Sequence, residues 1–375
     1  MRFFIEIAFT VLLLTALGDG QLQGSNCTLK RTGSTGVCTP FAKCQSAKED
    51  ASEGDLPQKC DLIDNESELV CCVAATCPPL LGGLVTQLPI GSRAADYCIE
   101  LTEKIHPCQE TPSGWTRGNI CPQLTPDTNI EYKLTPIITA AEAPYYGRLG
   151  QGQISAITWM WYPVTLVSEQ WVVCSAYAIN SITVLFVGLG GTFTPQYNPD
   201  ERYGVAERHI HPLFNYDYST SYNDIALLRL DRQVIFTTRI IPACLHTGTP
   251  LPDTGFIQNG WDGAASPHIK TTVKRLSQEE CSKQFPTGGG NAHPVGVQHD
   301  RELCSRPVNE TGGCGGWYQG SPMTLPNSLR VACTHLLVGY KTFDISSACT
   351  IINLRVSTFV SWIENIVWPK SDVVD

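Results

Sequence analysis

Hydrophobic positions follow two regimes along the chain. From residue 137 to about residue 368 they come in short runs broken by turns, at 154–162, 171–176, 181–187, 224–230, 330–340 and 349–354. Runs of this length, rich in Val, Ile, Trp and Tyr and punctuated by Gly and Pro, predict strands. The region closes with TFVSWIENIV, residues 358–367, whose apolar side chains recur at helical spacing and predict an amphipathic helix. Before residue 137 the pattern is weaker. Residues 73–136 are rich in Pro, Gly and Thr with one stretch of helical periodicity, 94–105, and read as a linker. Residues 45–59, with Lys48, Glu49, Asp50, Glu53 and Asp55, read as a solvated loop. At the start, Arg2, an apolar stretch over 3–17 and the small residues Gly18 and Gly20 predict a secretory signal over 1–20. That stretch is shorter than the roughly 20 residues needed to span a bilayer, and no later segment is long and apolar enough, so no membrane span is expected.

Composition narrows the class. The 375 residues include 42% hydrophobic, 16% charged and 9% aromatic side chains, enough to bury a core. A net charge of −9 argues against nucleic acid as a partner, because phosphate binding needs a basic face. Seventeen cysteines point to an oxidising, extracellular compartment. Sequons at Asn26, Asn65 and Asn309 fit that setting as glycosylation candidates.

Six cysteines, at 27, 38, 44, 60, 71 and 72, fall within fewer than fifty residues, a segment too small for a sufficient apolar core. An even count there reads as a three-disulfide mini-domain with fifteen possible connectivities. A zinc site is disfavoured because residues 27–72 contain no histidine.

The spacing of these six, with its closing Cys71-Cys72 pair, resembles the arthropod clip domain. That resemblance implies Cys27–Cys71, Cys38–Cys60 and Cys44–Cys72. Residues 137–370 resemble the chymotrypsin-like serine proteases through an ordered set of landmarks. They are IITAAEA at 137–143, His211-Pro212, the segment YNDIALL at 222–228, IPACL at 241–245, Val338-Gly339-Tyr340 and the closing helix. The expected architecture is therefore all-β, a chymotrypsin-like double β-barrel over 137–370, a linker over 73–136 and a clip mini-domain over 27–72. The resemblance also implies Cys281–Cys304, Cys314–Cys349 and, from its place before Ile137, Cys121–Cys244. Cys77, Cys98, Cys108, Cys174 and Cys333 are left over, an odd number, so one thiol is free or pairs between chains. Pairing Cys174 with Cys333 would staple a barrel that lost its usual bridge, but nothing in the sequence requires it.

Such proteases need a hydroxyl nucleophile, an imidazole base and a carboxylate that orients the base. Aligning the family's Leu-Thr-Ala-Ala-His-Cys with Val173-Cys174-Ser175-Ala176-Tyr177-Ala178 puts Tyr177 at the base position, and a phenol titrating near 10 is a poor base at neutral pH. The disulfide that brackets the family histidine is lost on both sides, at Ala178 and Tyr162. Aligning Cys-x-Gly-Asp-Ser-Gly-Gly-Pro with residues 314–321 puts Tyr318 at the nucleophile and Trp317 at the preceding aspartate. Pro136 precedes Ile137, where an activating cleavage needs Arg or Lys. Gly312 and the strand Thr342-Phe343-Asp344 define no pocket for a basic side chain. Only Asp224 of the triad is retained, either as a stranded catalytic group or as a buried carboxylate bonded to backbone. Ser321 is a substitute nucleophile by a three-residue slip, without the following glycines. Trp317 and Tyr318 either fill the cleft or form an aromatic patch for a partner. His209 and His211 lack a third ligand, so neither a metal nor a cofactor is expected.

What the resemblance implies is a secreted, non-catalytic homologue in haemolymph. Its expected partners are clip-domain proteases, other protease homologues, and prophenoloxidase or complement-like proteins. A microbial-surface recognition protein is the alternative, and an active endopeptidase using Ser321 a further one. Lys104, Arg117 and Lys133 are open as cleavage points in the linker.

Overall fold

The computed structural model describes residues 25–370 apart from 32–34, 53, 61–67, 74–91, 112–113, 119–134, 137–141, 181–184, 192–196, 216–219, 249, 262–267, 288–292, 309–317, 327–333 and 346–347. The signal segment, Asn65, Asn309, Gly312, Cys314, Trp317, Cys77, Cys121 and Cys333 lie outside the described residues. The chain forms two compact units, residues 1–81 with 107–118, and residues 82–106 with 119–375.

The first unit is an antiparallel sheet of β1 (Asn26–Thr28), β2 (Thr35–Pro40) and β3 (Leu69–Val73). Cystine supplies its core, through Cys27–Cys71, Cys38–Cys60 and Cys44–Cys72. Cys38 and Cys44 are fully buried, and Leu69 packs among the sulfurs. Asn26 is exposed on β1. The stretch expected as a loop begins instead with a helix, α1 (Gln45–Ser52). Its one-sided pattern explains this: Ala47 is buried with Cys44 and Val70, while Lys48, Ala51 and Ser52 face water. A hairpin, β4 (Cys108–Thr111) and β5 (Gly114–Arg117), completes this unit.

The second unit begins with α2 (Arg93–Ile105), in the segment read as a linker. Tyr97, Cys98, Leu101 and Ile105 recur every three or four residues and pack on Ile241 and Cys244. Two barrels follow. The first is a closed ring of β7 (Tyr146–Gln153), β8 (Ala156–Leu166), β9 (Trp171–Cys174), β10 (Leu185–Leu189), β11 (Arg202–Ile210) and β12 (Ala226–Leu230). Its interior holds fully buried aliphatic side chains such as Leu149, Leu166, Val187 and Leu228.

The second barrel comprises β14 (Phe256–Trp261), β15 (His268–Arg275), β16 (Glu302–Pro307), β17 (Pro322–Pro326), β18 (His335–Ile345) and β19 (Thr350–Arg355). It closes because β18 pairs with both β17 and β19. Two short strands are added, β6 (Thr135–Pro136) on β15 and β13 (Cys244–Leu245) parallel to β18. Short helices α3 (Ala176–Ile179) and α4 (Gln278–Gln284) precede the C-terminal α5 (Val356–Val367). Phe359, Val360, Ile363 and Val367 of α5 face a core shared with Tyr145, Leu227 and Tyr340. The fold is thus a mostly-β double barrel of the chymotrypsin-like kind.

Two disulfide expectations change here. Cys244 bonds Cys98, not Cys121, because α2 lies on β13 and carries Cys98 on its packed face. Cys174 is a free, buried thiol at the end of β9, so a Cys174–Cys333 staple is not formed. Cys281–Cys304 is formed. Cys349 is disulfide-bonded, while the partner expected for it, Cys314, lies outside the described residues.

Candidate functional site

The antiparallel pairing of β9 with β12 sets Cys174 opposite Ala226, which brings the turn after β9 beside the residues before β12. Asn223 adopts a left-handed conformation, φ 54°, tolerated by asparagine, and turns Asp224 inward until it is 2% exposed. The Asp224 carboxylate is closed off from within this turn. Ser175 Oγ donates to Oδ2 at 2.7 Å, and the Tyr177 backbone N–H donates to Oδ1 at 2.7 Å. The Ala176 N–H adds a further bond. Ser175 Oγ also accepts from the Ala178 N–H at 3.3 Å, capping α3. Behind the turn, Tyr340 OH donates to the Asp224 carbonyl at 2.8 Å. Burial raises the Asp224 carboxyl to about 6 against the pull of these donors. The neighbouring Cys174 thiol is pushed up by burial and by the Asp224 charge.

The Tyr177 side chain is 43% exposed, and among the described residues no imidazole bonds Asp224. The tautomer-holding bond of a triad therefore has no counterpart here; its carboxylate holds a backbone turn instead.

Tyr318 is half-buried against the shared core and stacks on Trp161, with ring centroids 6.2 Å apart. The Arg148 guanidinium lies 4.5 Å from the Trp161 ring centre, and its Nε donates to the Met160 carbonyl at 2.9 Å. Arg148 is 1% exposed, and burial lowers its pKa against the opposing pull of Tyr197, Tyr146 and Tyr318. A cation, an indole and a phenol thus form one packed stack at Tyr318, the residue expected at the nucleophile position. Gly320, at φ 93°, passes so close to β8 that a Cβ would sit 2.7 Å from the Pro163 carbonyl. Ser321, one residue on, is fully buried, and among the described residues its hydroxyl has no hydrogen-bond partner.

The strand carrying Thr342-Phe343-Asp344 packs its side chains on neighbouring elements. The Phe343 ring packs against His293 and Phe285, at 5.4 and 6.2 Å, and Lys341 Nζ lies 2.6 Å from Asp344 Oδ1. His211 packs edge-on against Phe359 and Trp362, at 5.1 Å each, and His209 lies 5.5 Å from Trp171 with its Nε2 on Glu207. Among the described residues the one cluster with metal-ligand spacing is Cys27, Cys38 and Cys60, whose sulfurs are in disulfides. The backbone just before Ile137 is fixed as well, with Pro136 paired to Ile269.

Sequence reasoning missed Ser175 and Arg148. Serine at a position aligned with alanine was a readable signal for the first. Arg148 carries none, because its cage is built from β7 and β8 and from the segment before β17.

The class is shown by comparison. Residues 164–363, more than half of the chain, match the family model described as Trypsin, so the chain belongs to the trypsin family. It is 27% identical over 226 residues to Serine protease Hayan of Drosophila melanogaster, covering 55% of this chain and 34% of that one. With Phenoloxidase-activating factor 1 of Holotrichia diomphalia the identity is 27% over 173 residues, 44% of this chain and 46% of that one. With Inactive serine protease scarface of Drosophila melanogaster it is 28% over 132 residues, 31% and 19%. The chain therefore spans less than half the length of each of these relatives.

Proposed function

We propose that this chain is a secreted, non-catalytic member of the trypsin family that regulates an extracellular protease cascade of the melanisation kind. The carrying observation is the Asp224 carboxylate, bonded by Ser175 and the α3 backbone where a triad requires an imidazole. Acyl transfer needs base and nucleophile in register, and tyrosines stand at both aligned positions, Tyr177 and Tyr318. A fully buried Ser321 offers no replacement, because substrate cannot reach its hydroxyl.

The cascade setting draws support from a relative named for phenoloxidase activation, and the non-catalytic role from one named as inactive. Disulfides in both units fit an oxidising compartment. The partners this reading implies are clip-domain proteases, other protease homologues, and prophenoloxidase or complement-like proteins. The test is haemolymph depleted of the protein, challenged with bacteria and then restored with it, with phenoloxidase activity as readout. A rise marks a cofactor and a fall marks a decoy. No change removes melanisation, and binding to bacterial cell wall would then favour surface recognition.

A further inference from the structure

The Cys281–Cys304 disulfide closes a loop of the second barrel, and a cross-link limits how far such a loop can stray. Residues 293–301 of this loop clasp the two residues that precede Asp224. Tyr222 OH donates to the Gly296 carbonyl at 2.6 Å and accepts from the Val295 N–H at 3.3 Å. Arg301 Nη1 donates to Asn223 Oδ1 at 2.9 Å, and the Tyr222 ring meets His293 edge-on at 5.2 Å. On its own side the loop is anchored by Glu302, which accepts from His293 Nε2 at 2.9 Å and from the Gln298 N–H at 2.8 Å. The Arg301 carbonyl accepts from the Arg355 N–H at 2.7 Å.

Asn223 is the residue on which the clasp acts. Its φ of 54° is disfavoured for a residue with a side chain, so its surroundings must hold it there. Both ends of its amide are engaged, Oδ1 by Arg301 and Nδ2 by the Leu213 carbonyl at 3.3 Å. That conformation turns Asp224 inward, where its carboxylate accepts the Ser175 hydroxyl and the Tyr177 N–H. Val295 is 60% exposed and Asp224 is 2% exposed. A contact made from solvent on residue 295 therefore bears on a buried turn through the Tyr222 hydroxyl that both residues 295 and 296 bond.

We infer that residues 293–301 are a latch between the two barrels. Seated, the latch keeps Asn223 left-handed and Asp224 turned inward; released, it lets the Asp224 turn open with it. The latch does not depend on whether the trypsin-like cleft is catalytic.

Hydrogen exchange of the full chain, read by mass spectrometry, tests it. Tyr222→Phe keeps the ring against His293 and deletes both bonds of the hydroxyl. Arg301→Met keeps the side-chain stem and removes the guanidinium from Asn223. Each variant should raise exchange by about fivefold or more in two places, residues 295–301 and the amides of Tyr177, Ala178 and Ile225, while β7 keeps its wild-type rate. The Tyr177 amide donates to Asp224 itself, so its rate reports the turn and not the latch. A rise confined to residues 295–301 would mean that latch and turn move independently and would overturn the proposal. Unchanged rates would overturn it too, as would an equal rise in β7, the mark of a general loss of stability. If Arg301→Met does not fold, Tyr222→Phe decides alone, because it removes one hydroxyl and leaves the packing in place.

Discussion

Ser175 donates its hydroxyl to Asp224 Oδ2 at 2.7 Å while accepting the Ala178 N–H at 3.3 Å, so one side chain caps α3 and satisfies the buried carboxylate beneath it. Ser175 is itself fully buried, so water cannot replace it. Ser175→Ala should cost about 1–3 kcal/mol, the range for leaving a buried acceptor without its donor. Urea unfolding checks this; a loss near zero would mean that the backbone N–H groups alone satisfy Asp224.

Two groups, the buried Asp224 and the half-buried His335, should bend the pH dependence of stability in opposite directions. Burial lifts Asp224 from 3.8 to about 6, so the folded chain keeps a proton that the unfolded chain has lost. Its contribution is complete below about 3.8 and is lost as pH rises through about 6. His335, packed against Tyr145, is lowered from 6.5 to about 4 by burial and by Lys270. Its contribution is complete above 6.5 and is lost as pH falls toward 4. Each spans about two pKa units, or about 3 kcal/mol. Asp224→Asn should therefore gain stability more steeply than wild type between pH 4 and 6.5, and His335→Gln should lose it. Parallel urea midpoints for all three proteins across that interval would refute both assignments.

The Cys98–Cys244 bond spans 146 residues and ties α2 to the barrels. Limited proteolysis between residues 107 and 142 should leave the fragment bearing residues 93–105 attached on a non-reducing gel and free it under reduction. Release without reductant would show that the bond is not formed. After Cys98→Ser with Cys244→Ser the cut fragment should be retained only by packing, and therefore dilute away.

The same helix shows what was legible in the chain. Residues 94, 97, 98, 101 and 105 carry a helical stripe, and that stripe is α2's packed face. The strand runs and the C-terminal helix were likewise readable, because a half-buried strand or helix must repeat its apolar residues at its own period. Counting back from Ile137 to Cys121 failed because sequence distance says nothing about which face meets β13. The α1 helix was missed because six charges in 45–59 hid the inward Ala47. The Asp224 position was readable from YNDIALL, but its bond to Ser175 was not, since those residues are 49 apart and meet only through the β9–β12 pairing.

Glu364 joins the two ends of the second unit. From α5, its Oε1 accepts from the Ser92 hydroxyl at 2.5 Å and from the Ala94 N–H at 2.9 Å, capping the first turn of α2. Glu364→Ala should cost about 1–3 kcal/mol and raise hydrogen exchange in residues 93–97. Glu364→Gln keeps the acceptor oxygen and should cost less. Unchanged exchange in the alanine variant would show that α2 is held by its disulfide and apolar face alone.

Restoring the two aligned side chains should not restore an enzyme. In Tyr177→His with Tyr318→Ser, the imidazole must approach a carboxylate already held by Ser175 and the α3 backbone. The serine replaces a tyrosine that packs against Trp161, itself under the Arg148 guanidinium, so the nucleophile would sit in a space shaped for an aromatic ring. The Phe343 ring is packed against Phe285 and His293, and Asp344 is paired with Lys341, so the strand beside Tyr340 is built around its own side chains. Because base, nucleophile and substrate must be in register together, partial repair returns little rate. A fluorophosphonate probe should leave both the wild type and this double variant unlabelled, before and after proteolysis. Labelling of the double variant alone would mean that the cleft kept its active geometry and lost only two side chains. Labelling of the wild type that disappears in Ser321→Ala would overturn the non-catalytic reading itself.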